Sequence, residues 1–297
     1  MVKEKPLAAF GLFIILALIF MAIFAGYGDN SWIAPYHFRE PHISDRLVGP
    51  GSTYLLGTDE LGRDLLSRII YGSRISLFVA LGAVGLGTGA ATLFGVSSAY
   101  IGGRFDIIFQ RITDAWLSIP WLLLMLGVIT LLPREPIISG IPNETWGIIK
   151  VIIALGIGDM AWASRVIRGS AMTVKENQYV EAARAVGAPP WRVITRYIMP
   201  NIAAPIIIMA TLGLGFAILS EAALSFLGLG VPPPNPSWGG MMQDRARHHI
   251  VTSWWVGVFP GVAITLAVFG INMLGDGLRD LLDPRLRGGG RGGFFGR

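Results

Sequence analysis

Long charge-free stretches alternate with short polar segments along the chain. A helix crosses the bilayer core with about 20 consecutive apolar residues. Pro6–Gly28 carries no charge and follows Lys3 and Lys5. Its apolar run is too long for a secretory leader and no small-x-small cleavage site follows, so it predicts an uncleaved anchor. Ile75–Gly103 is the second such run, and Ile112–Leu132 the third, with Asp114 near one end. Trp146–Ile167 makes a fourth, tolerating Lys150, Asp159 and Arg165. Ile202–Leu227, with Glu221 near its end, and Ser253–Leu274 complete the set. The pattern predicts an all-α membrane protein of six transmembrane helices, with both termini on one side. Three parts follow: residues 1–74, an N-terminal transmembrane helix and long outside loop; 75–287, a five-helix core; and 288–297, a Gly/Arg-rich tail.

Composition supports that class. Of 297 residues, 53% are hydrophobic and 14% charged, against about 25% charged in an average soluble domain. This argues against a disordered chain and an ordinary soluble enzyme. There is no cysteine, so disulfides, thiolate metal sites and a cysteine nucleophile are excluded. The net charge is +5. In so apolar a chain the excess reads as membrane topology, not nucleic-acid binding. Arg104, Arg165, Arg168, Lys175, Arg184, Arg192 and Arg196 flank or fill the loops expected beside the termini, and Arg279, Arg285, Arg287, Arg291 and Arg297 follow the last span. By the positive-inside rule, both termini are cytoplasmic and the chain is a multi-pass protein of the cell membrane.

Small residues recur at four-residue spacing in the second run: Gly85/Gly89 and Gly87/Ala91/Gly95. In lipid, such spacing lets helix backbones approach closely. Packing within the chain and an interface with a second membrane subunit both fit.

Two polar segments are too long to be simple turns. Asp29–Arg74 lies outside. Within it, Gly57 and Gly62 allow turns, and Asp59, Glu60, Arg63 and Asp64 can pair locally or cap a helix beginning near Leu65. The alternative is that these four contact a soluble binding protein or gate a pathway. Gly169–Pro200 lies in the cytoplasm and contains Glu181-Ala-Ala-Arg-Ala-Val-Gly187-Ala-Pro-Pro-Trp. Gly187 can adopt the left-handed conformation that ends a helix. Pro189 and Pro190 forbid simple continuation. The result is a helix–turn–helix on the membrane face, with an alanine surface that another protein can approach and with Glu181 and Arg184 at its edge. From the residues alone, a surface helix covering the ends of two spans fits as well.

Glu-Ala-Ala followed by Gly187 and then Ile198-Met-Pro200 resembles the EAA loop of ABC-importer permeases. Leu56–Arg68, Glu221-Ala-Ala-Leu-Ser-Phe-Leu-Gly228, Pro236-Ser-Trp-Gly239 and Gly275–Arg285 narrow the resemblance to the C-type permease of dipeptide/oligopeptide/nickel importers, over about Leu7 to Arg287. Gly158–Arg165 and the glycine-rich tail depart from that pattern. The resemblance implies the ABC type I importer permease fold. It makes Glu181, Ala182, Ala183, Arg184 and Gly187 the coupling element that enters a cleft of an ATPase subunit. Its implied partners are a B-type permease, two ATP-binding subunits, a soluble extracytoplasmic substrate-binding protein and membrane lipid. The implied cargo is peptide, with nickel chelates or oligosaccharides as alternatives.

The chain itself lacks a phosphate-binding loop. That motif needs Gly-Lys-Ser/Thr, and none of Lys3, Lys5, Lys150 and Lys175 follows a glycine. No ATP hydrolysis and no cofactor are therefore expected here, with ATP and Mg on the partner subunits. His37, His42, His248 and His249 lack the spacing of a metal site. Asp114, Asp159 and Glu221 are acids within spans, where function is the default hypothesis. A proton-driven carrier using them is the rival reading.

Overall fold

A computed structural model describes residues 6–26, 32–243 and 252–282. Lys3, Lys5, His248, His249, Arg285, Arg287 and the glycine-rich tail lie outside the described residues. Among those described there are helices and no strands. In chain order they are α1 (Pro6–Phe24), α2 (Leu65–Ile101), α3 (Gly103–Ser118), α4 (Trp121–Leu131), α5 (Asn143–Lys175) and α6 (Gln178–Ala185). Then come α7 (Pro190–Val193), α8 (Ala203–Phe226), α9 (Trp238–Met241) and α10 (Trp255–Leu282).

Five helical stretches are long and apolar enough to cross a membrane: α1, α2, α5, the run Pro190–Phe226, and α10. The sixth span predicted at Ile112–Leu132 is not one straight helix. α3 and α4 meet at a 99° bend, so six spans result only if the bent pair is counted as one. The cause is Pro120. It has no N–H to donate to Trp116 and its ring opposes that residue's carbonyl. Ile119 is extended, with ψ 129°.

The second span starts at Leu65, not at Ile75, because its basic residues fold inward. Arg74 donates to the carbonyls of Ala22, Ile23 and Gly26 at the end of α1. Arg68 is buried and donates to the Phe38 carbonyl at 3.3 Å. Charge therefore did not mark the helix boundary.

α2 and α5 pack along most of their length. A Cβ on Gly87 would sit 2.8 Å from the Gly156 carbonyl oxygen, and one on Gly95 would sit 2.7 Å from that of Ser164. That half of the small-residue pattern serves the chain's own packing. Gly85 and Gly89 have nothing within 4 Å, so the other half is open on the outer surface of α2. α1 packs on α10 through a similar approach, with Gly11 facing the Gly270 carbonyl.

The core divides into two main clusters along the bundle. One joins the N-terminal half of α2 to α5, α8 and α10 around Trp238. The other joins the C-terminal half of α2 to α5, α6 and α7 around Ile167, Val180, Val193 and Ile202. The Asp59 loop sits at the first end and the Glu181 loop at the other. They are separated by the length of α2, about 55 Å at 1.5 Å per residue.

Candidate functional site

The Glu181 loop is built on a single buried anchor. α5 ends at Lys175, and α6 begins after a turn in which Val180 N–H donates to the Asn177 carbonyl at 2.9 Å. Val180 is fully buried in the second core cluster. Ala183, one turn on, is nearly so. Helical spacing then turns Glu181, Ala182, Arg184 and Ala185 outward, and all four are exposed.

The end of α6 is a two-bond left-handed cap. Gly187 has φ +80°. Its N–H donates to the Arg184 carbonyl at 2.9 Å, and the Ala188 N–H donates to the Ala183 carbonyl at 3.0 Å. These are the 5→2 and 6→1 bonds of a Schellman motif, with glycine where the backbone must be left-handed. Pro189 then precedes α7, in which Pro190 fills the first turn, where its missing N–H is harmless. Val186 is 85% exposed and Trp191 65% exposed. Two apolar side chains thus flank a small alanine surface with no cover from the chain, among the described residues.

α7 does not pass straight into α8. Ile194–Ile198 form a π turn and Met199–Ile202 a 3₁₀ turn before α8 begins. Pro200 supplies no N–H at this point, and the ladder changes step around it. The loop is thereby joined to a long membrane helix by a stepped, not a regular, segment.

A polar cluster fixes the loop against the bundle, and sequence reasoning missed it. Asp106, in the first turn of α3, accepts from Arg168 of α5 through Nε at 2.6 Å and through Nη2, and also from the Ser98 hydroxyl of α2. Lys175 donates to the carbonyls of Ala99 at 2.8 Å and Tyr100 at 3.0 Å, the last turn of α2. Arg184 of α6 stacks over the Tyr100 ring at 4.8 Å. Three cations read from the sequence as topology signals are each committed to a contact. Asp106 carried no signal because its partner is far along the chain. The adjacent Gly102 and Gly103, with φ +68° and +58°, make the corner that brings Asp106 back to α5; a Gly-Gly pair marks such a turn.

At the other end, the four acidic and basic residues of the outer loop have mixed positions. Asp59 is buried and its carboxylate accepts from the N–H groups of Leu61 and Arg63, from Arg63 Nε at 2.7 Å, and lies 3.5 Å from Arg68 Nε. Asp64 caps α2, accepting from Ser67 N–H at 2.8 Å and Ser67 Oγ at 2.6 Å. Glu60 and Arg63 are partly exposed. Asp59, Glu60 and Arg63 line a cavity of about 550 Å³ whose other wall is Gly228–Met241.

That far wall is held by Glu221. The carboxylate is buried and accepts from Ser225 Oγ at 2.6 Å and from the Ser76 and Ser237 hydroxyls. Trp238 is fully buried, and its Nε1 donates to the Ile69 carbonyl at 3.0 Å. α9 is one short turn, and its tryptophan plugs the core. Trp255 likewise bonds inward, to the Thr58 carbonyl at 3.1 Å, while Trp254 is half exposed.

The remaining acids separate. Asp114 of α3 pairs with Arg165 of α5. Asp159, at the midpoint of α5, has no hydrogen-bond or ion-pair partner among the described residues. His37 accepts from Arg39 N–H at 3.3 Å and His42 lies 3.8 Å from Glu40. Among the described residues no three His, Asp or Glu side chains are grouped as metal ligands.

The arrangement is that of a multi-helix membrane chain with a small exposed helix held at one end of the bundle. Residues 91–288 match the family described as binding-protein-dependent transport system inner membrane component, and residues 2–50 match the N-terminal TM domain of oligopeptide transport permease C. The chain belongs to the first of these families. It is 39% identical to the dipeptide transport system permease protein DppC of Alkalihalophilus pseudofirmus, over 96% of this chain and 88% of that one. It is 40% identical to the di/tripeptide transport system permease protein DppC of Pseudomonas aeruginosa, over 93% and 88%. Its fold is similar to that of a chain in an inward-facing structure of the MetNI methionine ABC transporter, with a TM-score of 0.56 and 16% identity over 73% of this chain and 96% of that one.

Proposed function

We propose that the chain is the C-type permease subunit of an ATP-driven ABC importer and forms half of a membrane pathway for di- and oligopeptides. The observation that carries this is α6. A Schellman-capped helix presents Glu181, Ala182, Arg184 and Ala185, flanked by uncovered Val186 and Trp191, at one end of the bundle. Small residues let a partner backbone approach, the apolar pair supplies burial, and the flanking charges set register. An ATPase subunit is the partner, one under this chain and one under a B-type permease. ATP and Mg act there, and this chain performs no hydrolysis. Both termini are cytoplasmic, and α6 faces the cytoplasm.

The open Gly85/Gly89 face of α2 is the surface for the second permease. At the opposite end, the cavity between the Asp59 loop and Gly228–Met241 faces the soluble binding protein. Glu60 and Arg63 are its accessible charges, while Asp59 and Asp64 shape the wall. ATP binding draws the two coupling helices together, and the bundles move as bodies to open the pathway outward. Peptide cargo is favoured over nickel chelates or oligosaccharides by the peptide permeases to which the chain is similar.

The test is reconstitution of the full complex in proteoliposomes, with binding protein outside and ATP inside the ATPase compartment. Uptake of a labelled dipeptide is expected to require both. Uptake by the permease pair alone under a proton gradient would refute the reading. Glu181→Lys is expected to leave assembly intact and to lower both uptake and binding-protein-stimulated ATPase activity.

A further inference from the structure

Asp159 has no role in the coupling loop, the outer cavity or the helix packing described above. It occupies the midpoint of α5, which runs from Asn143 to Lys175, and its flanks Gly158 and Met160 offer it no bond. Among the described residues no hydrogen bond or ion pair to its carboxylate is recorded. The opposing backbone is Gly213 of α8, where an added Cβ would lie 3.4 Å from Asp159 Oδ2.

The carboxylate faces a small cavity between α2, α4, α5 and α8, lined by Val84, Met125, Gly213, Phe216 and Ser220 besides Asp159 itself. Its volume of about 10 Å³ admits one water-sized group. Ser220 is 1% exposed, and its hydroxyl has no hydrogen-bond partner. Two polar side chains, a carboxyl and a hydroxyl, therefore line one small space without hydrogen-bond partners among the described residues. At the cavity wall the Phe216 ring is 42% exposed and meets the Trp121 ring edge-on at 5.4 Å.

We infer that Asp159 and Ser220 form a mid-membrane site for a primary ammonium group, the α-ammonium of a peptide in transit. The chemistry selects this class. An ammonium is about the size of a water and carries three donors and no acceptor. The carboxylate accepts only, and the serine oxygen has free lone pairs. An anionic group would meet the uncompensated carboxylate and be repelled. The aromatic faces at the cavity wall attract a cation. Gly213 leaves that side of the carboxylate open, since even a methyl there would touch Oδ2 at 3.4 Å.

This site rests on the peptide-import reading, and its test separates the two. In proteoliposomes holding the full complex, di-alanine uptake and ATP hydrolysis are measured together for wild type, Asp159→Asn, Asp159→Glu and Ser220→Ala. If wild type imports no dipeptide, the peptide-import reading falls and takes this site with it. If wild type does import, Asp159→Asn is expected to keep binding-protein-stimulated ATPase activity and to move about tenfold less peptide per ATP, the size of one partly hydrated charge-assisted contact. Asp159→Glu should recover most of the ratio, and Ser220→Ala should lower it less than Asp159→Asn does. An unchanged ratio in Asp159→Asn overturns the site, leaving Asp159 and Ser220 as holders of a trapped water. A parallel fall in ATPase activity and uptake in all three variants also overturns it, because that is the mark of a packing role. Should Asp159→Asn not assemble, Ser220→Ala decides: a wild-type ratio there overturns the site.

Discussion

Asp106 and Arg168 are the contact on which transmission from the coupling loop is expected to depend. Asp106 takes two bonds from Arg168 and one from Ser98, so a single carboxylate joins α2, α3 and α5. The side chains are 15% and 24% exposed, respectively. A fully buried pair that loses one partner costs about 3–5 kcal/mol, and an exposed pair about 0–1 kcal/mol. At this partial exposure, Asp106→Asn is expected to cost about 2 kcal/mol, since asparagine keeps one acceptor and loses the charge. That corresponds to a roughly thirtyfold shift in the population of the joined arrangement. Lys175 still holds the end of α5, and Arg184 holds α6, to the last turn of α2, so the loop should stay docked on α2 while α5 loses its link to α3. The assay is a double-mutant cycle with Asp106→Asn, Arg168→Gln and the pair, read as thermal stability of the purified complex and as peptide moved per ATP. The double variant is expected to be better than the sum of the single losses by about 2 kcal/mol. An interaction energy near zero, with transport per ATP unchanged in both single variants, would refute the reasoning.

Three further outcomes are expected. Gly187→Val forces a β-branched residue to φ +80° in open space, which costs about 1–2 kcal/mol in backbone strain alone; stimulated ATPase activity and uptake should fall, whereas Gly187→Asn should retain most of both, because asparagine tolerates that conformation. Gly95→Leu drives a side chain into the Ser164 carbonyl and should abolish a monodisperse chain on size-exclusion chromatography, while Gly85→Leu should leave the chain folded and prevent co-purification of the second permease. Tyr54 donates to Asp45 Oδ2 at 2.8 Å, and its pKa is pushed up to about 12, first by that bond, then by burial and the Asp45 charge. The folded loop thus holds the phenolic proton more tightly than the unfolded chain does at about pH 10. The stabilisation is complete below that pH and lost as pH rises through 12; tyrosinate absorbance should show a late-titrating component that Tyr54→Phe removes.

The spans and the helix and turn around Glu181–Gly187 were legible because each rests on local order in the chain. Apolar runs report helices that must satisfy their backbone bonds in lipid, and the Gly187-Ala-Pro-Pro turn writes its left-handed cap into adjacent residues. What could not be read depends on partners far apart in sequence. Arg68 and Arg74 look like helix boundaries until the carbonyls of Phe38 and of the α1 end are seen to receive them. The same limit hid the break between α3 and α4. Pro120 was visible, but an apolar run with one proline suits a kinked span as well as a bent pair, and only the 99° angle between the two helices distinguishes them.

The placement of charge follows from that contrast. Arg168 bonds to the Asp106 carboxylate, Lys175 to the carbonyls of Ala99 and Tyr100, and Arg184 stacks on the Tyr100 ring, so the end of α5 and α6 are tied to α2 and α3. At mid-membrane the order is reversed. Asp159 and Ser220 are held in place by packing on α5 and α8 and are left without protein bonds. A rigid, fully bonded end is suited to receiving a push, since movement there cannot be absorbed by loose side chains. An unbonded polar pair at the middle is suited to a passing group, since strong internal bonds would have to be broken at each passage. If both assignments hold, disabling the Asp106–Arg168 contact and disabling Asp159 should lower transport per ATP by independent amounts that add in the combined variant, because the two sites share no residue and lie on different turns of α5.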